Sequence, residues 1–99
     1  MPKVSRKGDE LSTGHICMAI TKLDTPTQST VRANSILIAR KTDKTISHPF
    51  PPPPPCAPHI AFVNIGSSTV RVVGLPIARK DDSTDAGQMI QGSDNVRAG

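Results

Sequence analysis

Ser29-Thr30-Val31-Arg32, followed by Ile38-Ala39-Arg40-Lys41 and then Asp43 and Thr45, returns as Ser68-Thr69-Val70-Arg71, Ile77-Ala78-Arg79-Lys80, Asp82 and Thr84. The offset is 39 throughout, with ten identities over the seventeen positions from Ser29 to Thr45. Matches this dense at one spacing mark an internal repeat. Partial copies flank the two whole ones. Ser5-Arg6-Lys7-Gly8-Asp9 carries the second half of the unit, and Asn95-Val96-Arg97-Ala98-Gly99 the first. The chain reads as half unit, whole unit, whole unit, half unit.

Each unit has β chemistry. Thr30-Val31-Arg32 and Thr69-Val70-Arg71-Val72-Val73 are rich in β-branched residues, which favour strands. Ala33-Asn34-Ser35 and Gly74-Leu75-Pro76 then read as short turns, and Ile36 to Arg40 or Ile77 to Arg79 as the returning strand. Asp9, Asp43 and Asp82 each follow such a strand, where an aspartate side chain bonds its own turn. Ile16 to Thr21 and Ile60 to Ile65 are further strand candidates. No stretch keeps a helical period, and Asp85 to Ile90 amounts to one helical turn at most. The expected fold is all-β, built of short hairpins, in one domain spanning residues 1–99.

The composition makes such a domain hard to stabilise. A chain of 99 residues buries only about 60–65% of its unfolded surface. Here there is no Trp or Tyr, and Phe50 and Phe62 are the only aromatics. Thin cores of this size lean on metals, disulfides or partners. The net charge of +4 is spread along the chain, so it reads as solubility. No apolar run approaches the ~20 residues of a membrane span. The N-terminal MPKVSRKGDE has no apolar signal region. This predicts synthesis in a reducing cytoplasm, where cysteines stay free or bind metal.

The second unusual stretch is Ser47 to His59, SHPFPPPPPCAPH. Pro49 and Pro51 to Pro55 exclude helix and central strand, because proline lacks an N–H and fixes φ. The run should be stiff and close to polyproline II. His48, Cys56 and His59 surround it. Adding His15 and Cys17 completes the full set of His and Cys in the chain. Any one of these alone would read as an ordinary surface histidine or buried thiol. As a set they read as a closed, structural, tetrahedral zinc site, with iron the other candidate metal. The choice of ligands is His15, His48, Cys56 and His59, with Cys17 in reserve two residues from His15. A Cys17–Cys56 disulfide is the competing reading. Gly87 stands where the third unit would carry its histidine, so that unit offers no ligand there.

Other functions lack residues. No nucleophile–base pair stands out, and four protein ligands leave a metal no open position, so no enzyme activity is expected. No small-molecule substrate is expected either, since no glycine-rich phosphate loop appears. Nucleic-acid binding lacks stacking aromatics and a clustered basic face. A proline-rich linker or ligand for an aromatic groove is the bland reading of Pro51 to Pro55, but neither flank is long enough for a separate domain.

The chain resembles the PAAR-repeat proteins, the tips of phage tail spikes and of type VI secretion spikes. The likeness covers nearly the whole chain. Val4-Ser5-Arg6-Lys7-Gly8-Asp9 followed by His15 looks like the first repeat. Ile38-Ala39-Arg40-Lys41-Thr42-Asp43 followed by His48 looks like the second, and Pro76-Ile77-Ala78-Arg79-Lys80-Asp81-Asp82 like the third. Ser29-Thr30-Val31, Ser68-Thr69-Val70 and Asp94-Asn95-Val96 match the strand that precedes each repeat. The chain departs from the family at Ile16, at the extra Cys17, and at Thr42 and Asp81 in place of glycine.

The resemblance implies a small three-sided β cone with a pseudo-threefold repeat, its apex stapled by zinc on His15, His48, Cys56 and His59. It also implies a partner: one tip chain capping a trimeric β-helical spike, which pierces a target membrane transiently when the sheath contracts. The implied location is the tail baseplate of a virion. The alternative is a bacterial cytoplasm followed by export through a type VI apparatus. A bare tip with no toxin domain leans towards a phage tail. The competing function is a small zinc-binding protein-interaction module with a Pro-rich loop.

Overall fold

The computed structural model describes residues 2–15, 18–50 and 57–99. Ten short strands follow in chain order: β1 (Glu10–Ser12), β2 (Ile20–Lys22), β3 (Arg32–Ala33), β4 (Ile36–Leu37), β5 (His48–Phe50), β6 (Ala57–His59), β7 (Arg71–Val72), β8 (Leu75–Pro76), β9 (Ser83–Thr84) and β10 (Gly87–Met89). Among the described residues there is no helix. One four-stranded sheet has the order β2-β1-β10-β9. Three two-stranded sheets are β3-β4, β5-β6 and β7-β8, and all pairing is antiparallel. The fold is therefore all-β with several antiparallel sheets.

The Arg-Lys-x-Asp segments make the same turn three times. The amides of Asp9, Asp43 and Asp82 donate to the carbonyls of Arg6, Arg40 and Arg79 at 3.0, 3.0 and 3.1 Å. Each carboxylate accepts in return from the arginine's backbone N–H, at 2.7, 2.7 and 2.8 Å. The third turn residue has positive φ in every copy: 81° at Gly8, 77° at Thr42 and 75° at Asp81. That is the type II geometry, which favours glycine. Thr42 and Asp81 hold it because the aspartate locks the turn from the other side.

These segments are joined to one another in a closed cycle. Ser5 N–H donates to Ala78 O at 2.9 Å, Ala78 N–H to Ala39 O at 3.0 Å, and Ala39 N–H to Ser5 O at 3.0 Å. All three residues are completely buried. Only small side chains fit where three backbones converge this closely. The bridges Arg6↔Ile38, Arg40↔Ile77 and Val4↔Arg79 close a second cycle around the first.

Apolar packing lies on both sides of this ring. Val4, Ile38 and Ile77, each one residue before a ring member, pack with Ala33, Val72 and Ala98 and with half-buried Val96. Beyond the ring, Leu11, Leu23, Val63 and Met89 pack with Ala39 and Ala78. Bridges Leu23↔Thr45 and Val63↔Thr84 and the pair Leu11↔Met89 tie that second layer together. The body measures 40 × 24 × 21 Å.

The two half units meet. Lys3 bridges Arg97, and Ala98 N–H donates to Pro2 O at 3.1 Å. They repeat what β3-β4 and β7-β8 do within one segment, so the chain ends supply the third pair. Each pair is capped alike. Gln28 Oε1 accepts from the amides of Thr30 and Val31, Ser67 Oγ from Thr69 and Val70, and Ser93 Oγ from Asn95 and Val96.

Some local expectations shift. The β7-β8 turn is Val73-Gly74, at φ 48° and 84°, with Leu75 and Pro76 in the returning strand. Two positive φ values are what a two-residue hairpin turn needs to match strand twist. Residues 87–89 are a strand, held by pairing with Leu11 and Ser12. Ile60 to Ile65 contains only the bridges at Phe62 and Val63. Pro49 does enter a strand, opposite Pro58. Neither proline can donate, so this register works only if theirs is the non-hydrogen-bonded pair.

Candidate metal centre

The strand pairing places the histidines. His48 on β5 is directly opposite His59 on β6, so their side chains leave the same face of a two-stranded ribbon. His15 lies in the loop between β1 and β2. Thr13, fully buried, anchors that loop: its hydroxyl donates to Met18 O and to Ala19 O at 3.2 Å. Ala86 N–H donates to Thr13 O at 2.9 Å, which presses the loop against the β9-β10 turn. Gly14 fits there because a Cβ would lie 2.2 Å from Ala86 O.

The fourth member is Asp85, in the two-residue turn between β9 and β10. Its φ of 55° falls at the first central position, where Gly, Asn and Asp are tolerated best. Asn64 Nδ2 donates to Asp85 O at 3.2 Å and steadies the turn. The Asp85 carboxylate then points among the rings. Oδ2 is 2.7 Å from His15 Nε2 and 2.8 Å from His48 Nε2, and Oδ1 is 3.3 Å from His59 Nε2. The rings of His15 and His48 stack at 5.3 Å, and that of His59 stands edge-on to both, at 5.5 and 4.8 Å. The His48 side chain is fully buried, those of Asp85 and His15 nearly so, and that of His59 is a quarter exposed.

These residues can hold a metal ion. Three imidazole nitrogens and one carboxylate oxygen lie within 4.8 Å of one another. Four ligands at ~2.0–2.1 Å from a tetrahedral zinc stand ~3.3–3.4 Å apart, so small side-chain movements bring the set onto one ion. The tautomer is also suitable. His48 Nδ1 is 2.9 Å from Ile46 O, so it carries the proton and donates it. That leaves the Nε2 lone pair for a metal, the usual outer support of a ligating histidine. With hydrogen bonds alone, His48 would need a second proton on Nε2 to bond Asp85. A metal cation held among the four would supply that positive charge instead. Burial works to raise the Asp85 carboxyl, but hydrogen bonds from His48 and His15, the charge of His15 and the contact with His59 hold it below the usual carboxylate range.

Of the expected ligands, His15, His48 and His59 come together around Asp85. Cys56 and the reserve Cys17 lie outside the described residues, as does the run Pro51 to Pro55. Asp85 was not among the expected ligands. Its one sequence signal is its place, three residues past Asp82 in the unit whose histidine position reads as Gly87.

No family model and no curated protein matches the chain.

Proposed function

We propose that this protein is a spike tip of the PAAR-repeat type, a rigid metal-stapled cap on a trimeric β-helical spike. The closed cycle Ser5–Ala78–Ala39 carries the reading. Three corresponding segments of one chain bond in a closed cycle, which supports a pseudo-threefold surface on a single polypeptide. Such a surface can meet a true threefold partner despite the mismatch of one chain to three. The short, two-stranded hairpins have open edges that the spike's strands would extend.

The metal centre takes the opposite role. It lies beyond the Leu11–Met89 layer, where Met18, Ile20, Ile46 and Ile60 are exposed and not packed into a core. A structural zinc site contributes on the order of 10 kcal/mol of apparent folding free energy. Held by His15, His48 and His59, with Asp85 or Cys56 beside them, the ion crosslinks three loops into one stiff end. Stiffness is what a tapering point needs to enter a membrane. No step in this role is catalytic.

The test is elemental analysis joined to native mass spectrometry. The purified chain should carry one tightly held zinc ion and form a one-to-three complex with the trimeric spike of the same phage or secretion apparatus. Zinc with a stable monomer that ignores the trimer would point to the zinc-binding interaction module.

A further inference from the structure

The hairpin end is electrostatically one-sided. Residues 2–4, 28–38, 67–77 and 93–99 carry Lys3, Arg32, Arg71 and Arg97 against a single acid, Asp94, which Lys3 meets at 3.7 Å. The three arginines are repeats of one position. Arg32 pairs with Leu37, Arg71 with Pro76 and Arg97 with Lys3. Each precedes a buried core residue, Ala33, Val72 or Ala98. All three are exposed, as strand alternation requires of their position. Arg32 and Arg71 are held alike, each Nη1 donating at 3.2 Å to a carbonyl three residues on, Ser35 O or Gly74 O. A guanidinium has five N–H donors, so one carbonyl does not exhaust it.

We infer that Arg32, Arg71 and Arg97 form a three-membered cationic ring that docks the hairpin end onto three carboxylates, one from each chain of a homotrimer. The inference rests on the spike-tip reading and adds the chemistry of the partner's surface. A trimer repeats any Asp or Glu at its end three times. Three arginines spaced by the internal repeat match that array in number and in symmetry. Guanidinium pairs with carboxylate in a planar, two-pronged fashion, which sets rotation as well as affinity. The other arginines of the repeat do not serve, because Arg6, Arg40 and Arg79 are each committed to their own turn aspartate.

The experiment titrates the full chain against the trimeric β-helical spike of the same apparatus by calorimetry, at ~0.15 M salt and above. Arg32→Gln, Arg71→Gln and Arg97→Gln should each weaken binding about 3-fold, and the triple variant about 30-fold, in line with exposed arginine–carboxylate pairs. Affinity of the unaltered chain should fall with salt more steeply than that of the triple variant. Metal content and melting temperature check that the variants are folded, and the single changes carry the test should the triple variant fail to fold. A one-to-three complex whose affinity ignores all three substitutions overturns the ring and leaves the spike-tip reading standing. No complex with the unaltered chain overturns both.

Discussion

His48 and Asp85 are 37 residues apart in sequence, yet His48 Nε2 and Asp85 Oδ2 stand 2.8 Å apart in the interior. His48 donates from its other nitrogen to Ile46 O, so its ring cannot turn away. Asp85 therefore faces the ion directly if one is held by the three histidines. Asp85→Asn keeps the shape and removes the charge. It should lower zinc affinity at least ~10-fold, measured by competition with a chromophoric chelator, the scale of loss known for supporting carboxylates of zinc sites. His48→Ala should abolish retention through dialysis. Unchanged affinity in Asp85→Asn would assign the fourth position to Cys56.

The three turn aspartates differ in their surroundings, and their removal should differ accordingly. Asp43 is 1% exposed and accepts from Arg40 N, Thr27 N and Thr27 Oγ1. Its partner Arg40 is buried too, with Nη1 bonded to Val73 O at 3.0 Å. Asp43→Ala leaves that cation uncompensated, at a cost of about 3–5 kcal/mol. Arg6 and Arg79 keep part of their side chains in water. Asp9→Ala and Asp82→Ala should therefore cost less, about 1–3 kcal/mol. Denaturant midpoints give the order, and equal losses at all three would show that burial does not set the strength of the turn.

Thr42 occupies at φ 77° the place that Gly8 occupies at φ 81°. A β-branched residue is strained in that region. Thr42→Gly should stabilise the protein by roughly 1 kcal/mol, and Gly8→Ala should cost roughly 1–2 kcal/mol, although nothing lies within 4 Å of the added Cβ. Gly87→Ala is a different case. Its Cβ would fall 2.1 Å from Ser12 O, so β1 and β10 must part, and the loss should exceed that of Gly8→Ala. Thermal melts of the three variants decide; a Thr42→Gly melt below that of the unaltered chain would sink the strain argument.

How far the sequence could be read follows from which positions have fixed spacing. The Arg-Lys-x-Asp turns recur with the hairpins that precede them, so the repeat and its β character were legible. His15, His48 and His59 were legible by residue type, since an imidazole is rare enough in this chain to stand out. Past each turn aspartate the spacing is lost. His15 comes six residues after Asp9, His48 five after Asp43, and Asp85 three after Asp82. Asp85 was hidden by this drift and by the ordinariness of aspartate, while Gly87, which looked like a missing ligand, is there for its closeness to Ser12 O. The pairing of the two chain ends is equally invisible locally, because Lys3 and Arg97 meet only once both half units are wrapped around the ring.

Metal removal should loosen one end of the molecule before the other. The ring of Ser5, Ala39 and Ala78 is bonded backbone to backbone and lies between the two apolar clusters, so its stability does not pass through the histidines. An ion held by His15, His48, His59 and Asp85 would be the strongest tie between the loops that carry them. A chelator should therefore lower the melting temperature and raise amide exchange in residues 44–48, 57–64 and 83–87, while the amides of Ser5, Ala39 and Ala78 stay among the slowest. Hydrogen-exchange mass spectrometry with and without chelator separates the regions. Uniform deprotection along the chain would mean that the ion supports the whole fold and that the ring does not hold by itself.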